Sequence, residues 1–191
     1  MRWLVIALLC ACGGKLPETR YYQLAVPAAP ATEPAGDAVL AVEPLAADTA
    51  YEDERIVYRT TPYRLDYYNY HRWSAQPGAL VAGYLEQALA KSGRFRAVVR
   101  APSDEASLVL GGRVVAIEEV DRSKTQWVGR IVLELVLSDT KRGTTLWTRR
   151  VEDSEPLRVQ SPEGLAEALS IALARITAKI GPDVLAARPK K

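Results

Sequence analysis

Residues 127–138 read WVGRIVLELVLS, and this stretch decides the fold class of the chain. Apolar side chains alternate along it with Arg130 and Glu134, which is the period of two that a half-buried β-strand shows. Residues 139–143 follow as a five-residue turn with glycine at its end, which predicts a hairpin. A return strand is expected over residues 144–151, so the stretch is predicted to lie inside an antiparallel meander.

Upstream of this hairpin, shorter apolar runs between turn residues predict more strands. Their predicted ranges are 39–42, 55–59, 64–70, 95–99 and 107–119. Residues 21–24 form a possible further edge strand. The pair Gly111-Gly112 inside the last of these ranges predicts a bulge or a close approach of another backbone. The body of the chain is therefore expected to hold a sheet of about six strands.

Two stretches instead have the period of an amphipathic helix. The first covers residues 77–91, begins with a proline and is followed by the stop signal Ser92-Gly93. The second begins at Ser161-Pro162 and is expected to end at Gly181-Pro182. Together with the strands, they predict an α+β two-layer sandwich, in which a mixed or antiparallel sheet carries both helices on one face.

Composition excludes several classes of function. The chain has 191 residues, of which 48% are hydrophobic and 25% are charged, and its formal net charge is +2, too small to favour nucleic acid as a partner. It has one His, and its two Cys both lie in the first dozen residues. Zinc clusters, disulfides and Cys/His catalysis are thus not expected in the folded body, and neither is a cofactor. Glu118, Glu119 and Asp121 could form a cation site or an acid pair, but a solvated charge cluster is the expectation.

The chain begins MRWLVIALLCACGG, which has the order of a secretory signal: one positive charge, an apolar run and then small residues. The run is too short to span a membrane. Leu-Cys-Ala-Cys resembles a bacterial lipobox with cleavage after Ala11, which would leave a lipidated Cys12. Cys10 is the poorer candidate because large Leu9 precedes it. Acyl chains on Cys12 would anchor the protein without spanning the bilayer.

This interpretation divides the chain into four parts. Residues 1–11 are the signal peptide, 12–37 a lipidated N-terminus with a Pro/Ala-rich tether, 38–182 the α/β domain and 183–191 a basic disordered tail. Because Gly13 rather than Asp follows Cys12, similarity to the enterobacterial sorting rule favours the periplasmic face of the outer membrane.

One segment concentrates the residue types that contact ligands and partners. Its candidate partner-interface residues are Tyr68, Tyr70, His71, Arg72 and Trp73. Tyr, Trp and Arg are enriched at protein interfaces, and the same set could hold an anionic or sugar ligand through ring faces and a guanidinium. The remaining interpretation is structural, with the rings at a strand end covering the first helix. A general base at His71 would need a positioned partner, so no catalytic residue is assigned.

Several segments together resemble the ABC-type transport auxiliary lipoproteins, the PqiC-like family. They are residues 56–59 (IVYR), 68–73 (YNYHRW), Pro77 with Leu80-Val81, and 92–95 (SGRF), with 21–24 (YYQL) close behind the lipidated cysteine. The resemblance covers roughly residues 12–181, and the late meander and closing helix agree with it. Its most specific part is the stretch from Tyr58 to Trp73.

The resemblance implies a non-enzymatic accessory role in an MCE-type lipid transport system. Its expected partners are a periplasmic MCE-domain protein and an ABC transporter, with phospholipid as the transported cargo. A homo-oligomer is also expected, since MCE assemblies are rings and an edge strand offers a joining surface. Two alternatives stay open: a structural lipoprotein in outer-membrane assembly or secretion, and an envelope hydrolase.

Overall fold

The structure, a computed structural model, describes residues 17–28 and 36–187. These residues form nine strands and two helices, with a short 3₁₀ turn at Thr49–Tyr51. The strands are β1 (Arg20–Tyr22), β2 (Val39–Val42), β3 (Ala46–Ala47), β4 (Arg55–Thr61), β5 (Arg64–Trp73), β6 (Ala97–Arg100), β7 (Leu108–Asp121), β8 (Trp127–Asp139) and β9 (Thr144–Pro156), and the helices are α1 (Pro77–Lys91) and α2 (Pro162–Ala186). The predicted α+β architecture, a mixed sheet with two helices, is confirmed. The number of strands exceeds six because short strands such as β1 and β3 also join the sheet.

The longest strand, β7, organises the sheet. One of its edges pairs with antiparallel β8 along its whole length, and β9 continues the meander beyond β8. Its other edge is shared by three parallel strands in succession, namely β2, β3 and β4. The sheet therefore forks: β6 flanks β2 on one branch, and β5 followed by β1 flanks β4 on the other.

The alternation predicted for β8 is confirmed. Ile131, Leu133 and Leu137 are fully buried in the core that the sheet forms with the helices. Arg130 and Glu134 lie on the opposite face, where both form ion pairs. The predicted hairpin turn also forms, and Gly143 at its end has a φ of +62°.

Gly112 meets its neighbouring strand more closely than any side chain would permit. A Cβ atom there would lie 2.0 Å from the carbonyl oxygen of Glu134, and its φ is +133°. The predicted close approach is therefore confirmed at Gly112. The irregularity of β7 lies slightly later, where the register shifts between Val114 and Ala116.

Both helices begin where the sequence predicts. α1 has Pro77 in its first turn and ends before Ser92, whose hydroxyl donates to the Leu89 carbonyl at 2.6 Å. Ser161 caps α2, since its hydroxyl accepts a hydrogen bond from the Gly164 amide at 3.2 Å. The apolar stripe of α2 is buried over β8 and β9 and against α1.

The predicted end of the second helix is wrong, because α2 continues through Pro182 to Ala186. Pro182 is exposed, so water can satisfy the carbonyl that loses its intrahelical donor, while Val184 two residues later is fully buried in the core. Residues 183–186 thus belong to the helix and not to a disordered tail. Residues 188–191 lie outside the described residues.

Part of the predicted tether is docked on the domain. β1 forms the expected edge strand and runs parallel to the end of β5. Beyond β1, Leu24 and Val26 pack against the core, and the Ala25 amide donates to the Ser170 hydroxyl of α2 at 3.0 Å. Residues 29–35 of the tether lie outside the described residues, as does the signal segment with Cys12. No helix within the described residues is both long and apolar enough to cross a membrane.

Candidate functional site

The candidate interface lies on the second half of β5, next to an exposed edge. β4 pairs with β5 on one side, with register shifts that leave residues 68–71 out of step with it. On the other side, β1 covers only the last three residues of β5 among the described strands. The irregular stretch between these pairings turns successive side chains in different directions. The five candidate residues therefore have different surroundings.

Trp73 does not lie on the surface. Its side chain is fully buried in the core, and its amide donates to the Glu54 carbonyl at 2.7 Å. The expectation that Trp73 contacts a partner is thus wrong in this structure, because a 0% exposed ring has no surface to offer. Its role is to hold the end of β5 in the core.

Tyr68 is half-buried and tied to the interior. Its hydroxyl donates to Glu119 Oε1 at 2.9 Å, and its ring lies 5.1 Å from that of Tyr58. The pKa of the Tyr68 hydroxyl is raised, chiefly by burial and then by the negative charge of Glu119. Tyr68 therefore lies beneath the candidate interface and has a structural role there.

His71 fastens β1 to the domain. The Tyr22 hydroxyl lies 2.7 Å from its Nδ1 atom, and the edge of the Tyr68 ring meets the imidazole at 5.6 Å. Tyr22 is itself only 8% exposed. The only histidine of the chain is therefore half-buried between two tyrosines rather than placed in a catalytic arrangement with an acid.

Tyr70 and Arg72 remain available to a partner. Tyr70 is 40% exposed, and Arg72 lies across from Arg55, whose guanidinium stacks on the Tyr67 ring at 4.1 Å. Arg55 donates to Asp53 at 2.7 Å and is the main cause of the lowered pKa of that carboxyl. The accessible part of the candidate interface is thus cationic and aromatic. We define the β5 patch as exposed Tyr70, half-buried Arg72 and, between them, half-buried His71.

Glu118 and Glu119 are buried, so the expectation of a solvated acidic cluster is wrong. Glu118 faces away from the helices and is neutralised there by three donors. The Tyr51 hydroxyl donates to it at 2.6 Å, Arg59 at 3.2 Å and Arg130 at 2.9 Å. A groove of about 590 Å³ opens beside these arginines. The two basic groups are held by Glu118 and line the groove wall.

Glu119 faces the opposite side of β7 and has weaker compensation. Burial raises the pKa of its carboxyl to about 7, while the Tyr68 hydrogen bond lowers it and Asp121 raises it. The pKa of Asp121 is also raised by burial. One oxygen of each carboxyl is buried without a hydrogen-bond partner. The two acids consequently form a buried pair that favours holding a proton near neutral pH.

A ladder of ion pairs across the outer face of the sheet was not foreseen. Arg113 on β7 contacts Asp48 at 2.9 Å and Glu134 at 2.8 Å, and Glu134 reaches Arg150 on β9 at 2.7 Å. A second chain of ion pairs runs from Glu118 through Arg130 to Glu152. The alternating charges of β8 were the available signal, but strand register is needed to see the partners.

Metal chemistry has no visible site in this part of the chain. Residues 17–28 and 36–187 contain no group of three or more His, Cys, Asp or Glu placed to hold a metal ion. Cys12, the predicted lipidation site, lies outside them. The arrangement that the structure does offer is the docked strand β1 beside an aromatic and basic patch on β5.

The chain is similar to known proteins in sequence and in fold. A family model described as the ABC-type transport auxiliary lipoprotein component matches residues 22–181. No curated protein matches the chain. Among solved structures, a protein from Xanthomonas campestris is 20% identical with a TM-score of 0.73, covering 88% of this chain and 96% of its own. A hypothetical protein from Chlamydia trachomatis is 9% identical with a TM-score of 0.53, covering 80% and 98%. These two likenesses show the fold alone.

Proposed function

The chain belongs to the ABC-type transport auxiliary lipoprotein family, and from that premise we propose that it is the non-enzymatic docking subunit of an MCE-type lipid transport system. It is held by lipidated Cys12 on the periplasmic face of the outer membrane. There it binds the periplasmic MCE-domain assembly of an ABC transporter whose cargo is phospholipid. The observation that carries the proposal is the family match, which spans almost the entire described domain.

A binding role agrees with how the polar groups of the domain are used. Glu118, the most buried acid, is neutralised by Arg59 and Arg130 and has no free oxygen facing a substrate. His71 is engaged with Tyr22. The groups most often used for acid–base chemistry are thus occupied by structural contacts, whereas the exposed Tyr70 side chain is not.

The β5 patch is the proposed contact with the MCE-domain protein. Tyr and Arg are the residues that contribute most often to binding energy at interfaces. Residues 64–70 of β5 also have no neighbouring strand on their outer edge among the described residues. Such an edge presents unpaired backbone donors and acceptors that a partner strand can use. Side chains and backbone then act together at one surface.

Several copies are proposed to act together. An assembly of MCE domains is a ring, and a ring offers one equivalent contact for each copy of the accessory protein. The free edge of β9 at the other side of the sheet is a surface through which copies could join. Its charged side chains Arg149 and Arg150 would make such contacts sensitive to salt.

Site-specific photocrosslinking in cells tests the proposal. A benzophenone amino acid replaces Tyr70 in one strain and Lys141 in another, since Lys141 is exposed in the β8–β9 turn far from the β5 patch. The proposal predicts an adduct with an MCE-domain protein or a transporter subunit at position 70 only. Tyr70→Ala combined with Arg72→Ala should weaken binding of the purified partner at least about tenfold.

Two results would count against it. An adduct at position 70 with an export channel, and none with MCE or transporter subunits, would favour the alternative of a lipoprotein in outer-membrane assembly or secretion. Equal yields of crosslinked adduct at positions 70 and 141 would show that the β5 patch is not the contact surface. For the anchor, intact mass of the protein from membranes must show loss of residues 1–11 and an acylated Cys12.

A further inference from the structure

Three connections lie together at one end of the sheet. β4, β7 and β9 run in the same direction, so the connections that follow them, residues 62–63, 122–126 and 157–161, share that end. We call it the Tyr63 end. The side chain of Gln160 donates to the Lys124 carbonyl at 3.1 Å and joins two of these connections.

The N-terminal chain also arrives from the Tyr63 end. β5 starts there, and β1 runs parallel to β5, with Arg20 beside His71. The chain that precedes Arg20 therefore points back toward the β4–β5 turn. To reach the opposite end of the sheet, it would have to reverse its direction.

The distance that this chain can cover is short. Eight residues separate Cys12 from Arg20, and a fully extended chain of that length spans at most about 29 Å. From His71 back to Tyr63, β5 covers at most about 26 Å at the usual rise per residue, since its register shifts against β4 shorten it. An extended N-terminus thus brings Cys12 to the level of the Tyr63 end and little further.

Exposed side chains at the Tyr63 end have the chemistry of a membrane interface. Tyr63 is 97% exposed and Val159 is 62% exposed, and these are two of the four large apolar side chains exposed in the described residues. Between them lie Arg122 and Lys124, both exposed and without an ion pair to any described residue. Tyrosine favours the headgroup region, and basic side chains favour anionic lipid.

The opposite end of the sheet differs. The connection before β7 exposes Asp104 and Glu105, and the β8–β9 turn exposes Lys141 and Arg142. None of the four exposed large apolar side chains belongs to these connections. The two ends are separated by the 13 residues of β8, about 43 Å.

We propose that the Tyr63 end rests on the lipid surface, with Tyr63 and Val159 in the headgroup region and Arg122 and Lys124 against anionic headgroups. This rests on the acylation of Cys12 that the proposed function includes. The domain is then held upright on the bilayer, and the β5 patch faces sideways, parallel to the membrane plane, where a partner can approach it.

Fluorescence quenching in vesicles tests this orientation. The full-length precursor is expressed in a bacterium, and the mature lipoprotein is purified in detergent and placed in vesicles of phosphatidylethanolamine and phosphatidylglycerol, some carrying a nitroxide on the headgroup. Removal of residues 1–11 leaves Cys12 as the only native cysteine, and it is blocked by acylation. Single substitutions Tyr63→Cys, Val159→Cys and, as the control, Lys141→Cys therefore each accept one fluorophore.

The expected result is strong quenching at positions 63 and 159 and none at 141, since a headgroup nitroxide acts only at short range, whereas the two ends lie about 43 Å apart. Arg122→Glu with Lys124→Glu should reduce quenching at position 63. If quenching is equal at all three positions and the intact mass shows an acylated Cys12, the proposed orientation is wrong, whereas the lipid anchor is retained. A mass without acyl chains overturns the anchor and the orientation together.

Discussion

The Tyr22 hydroxyl lies 2.7 Å from Nδ1 of His71, although 49 positions separate the two residues in the chain. This contact joins β1, the first strand of the described residues, to the end of β5. It acts together with the hydrogen bond from the Ser74 amide to the Tyr22 carbonyl at 2.7 Å. Through it, the segment that follows the predicted lipid anchor becomes part of the domain.

Replacing Tyr22 by Phe should loosen this attachment without disturbing the core. The ring stays buried while the hydrogen bond is lost, which costs about 1 kcal/mol of the free energy of unfolding. Amide hydrogen exchange in β1 should accelerate, while exchange in β7 and β8 should be almost unchanged. Tyr63→Phe is the control, because its exposed hydroxyl makes no such bond. Equal effects of the two substitutions would refute the attachment.

The stability of the domain should fall as the pH rises past neutrality. Glu119 has a pKa of about 7 when folded, raised by burial from an ordinary value of 4.5. The folded state therefore binds a proton more tightly than the unfolded state. The stability that this protonation provides is complete below pH 4.5 and is lost as the pH rises through 7. Denaturation at pH 5 and pH 8 should differ by about 2 kcal/mol from this group.

The variant Glu119→Gln should remove most of that pH dependence, since its amide oxygen still accepts from Tyr68 and carries no charge. At pH 8 it should be more stable than the parent protein. Glu105→Gln, which alters an exposed acid, serves as the control and should keep the parent profile. A parent-like profile for Glu119→Gln would show that another group causes the loss.

Substituting Gly112 by Ala should destabilise the sheet strongly. The new Cβ would lie 2.0 Å from the Glu134 carbonyl oxygen, and a φ of +133° is unfavourable for any L side chain. We expect a loss of about 3 kcal/mol or more in thermal or denaturant unfolding. Gly83→Ala in α1, where nothing lies within 4 Å, should instead stabilise by about 0.5–1 kcal/mol. Similar losses at both sites would contradict the close approach.

Two glutamates on the same face of the sheet should differ in importance because one is buried. Glu118 is fully buried between Arg59 and Arg130, whereas Glu134 is 33% exposed between Arg113 and Arg150. Glu118→Ala leaves the buried Tyr51 hydroxyl and two partly buried arginines without their acceptor and should cost about 3 kcal/mol. Glu134→Ala should cost less than about 1 kcal/mol. Urea unfolding of the two variants measures the difference, and equal costs would refute the role of burial.

Local signals were sufficient for the main elements of the fold. The alternation around Arg130 and Glu134 predicted β8, and Pro77 and Ser161 marked the starts of both helices. The end of α2 was misjudged because Gly181-Pro182 is a local stop signal, whereas the burial of Val184 is a tertiary effect that favours continuing the helix. Packing outweighed the local preference at that point.

The candidate site was predicted less well, for a different reason. The sequence shows that Trp73 is aromatic and that Glu118 is charged, but not what lies opposite them. Trp73 is buried because the end of β5 enters the core, and Glu118 is buried because Tyr51 and Arg130 reach it from distant positions. Both outcomes depend on register between strands far apart in the chain.

The shared edge of β7 has a consequence for how the chain folds. β2, β3 and β4 all hydrogen-bond to a strand that begins only at Leu108, so none of them can complete its place in the sheet until that strand has been made. Such distant pairings slow folding. Until residue 108 and those after it have been made, the strand on which these three must pair is missing, so the sheet of the domain closes late in synthesis.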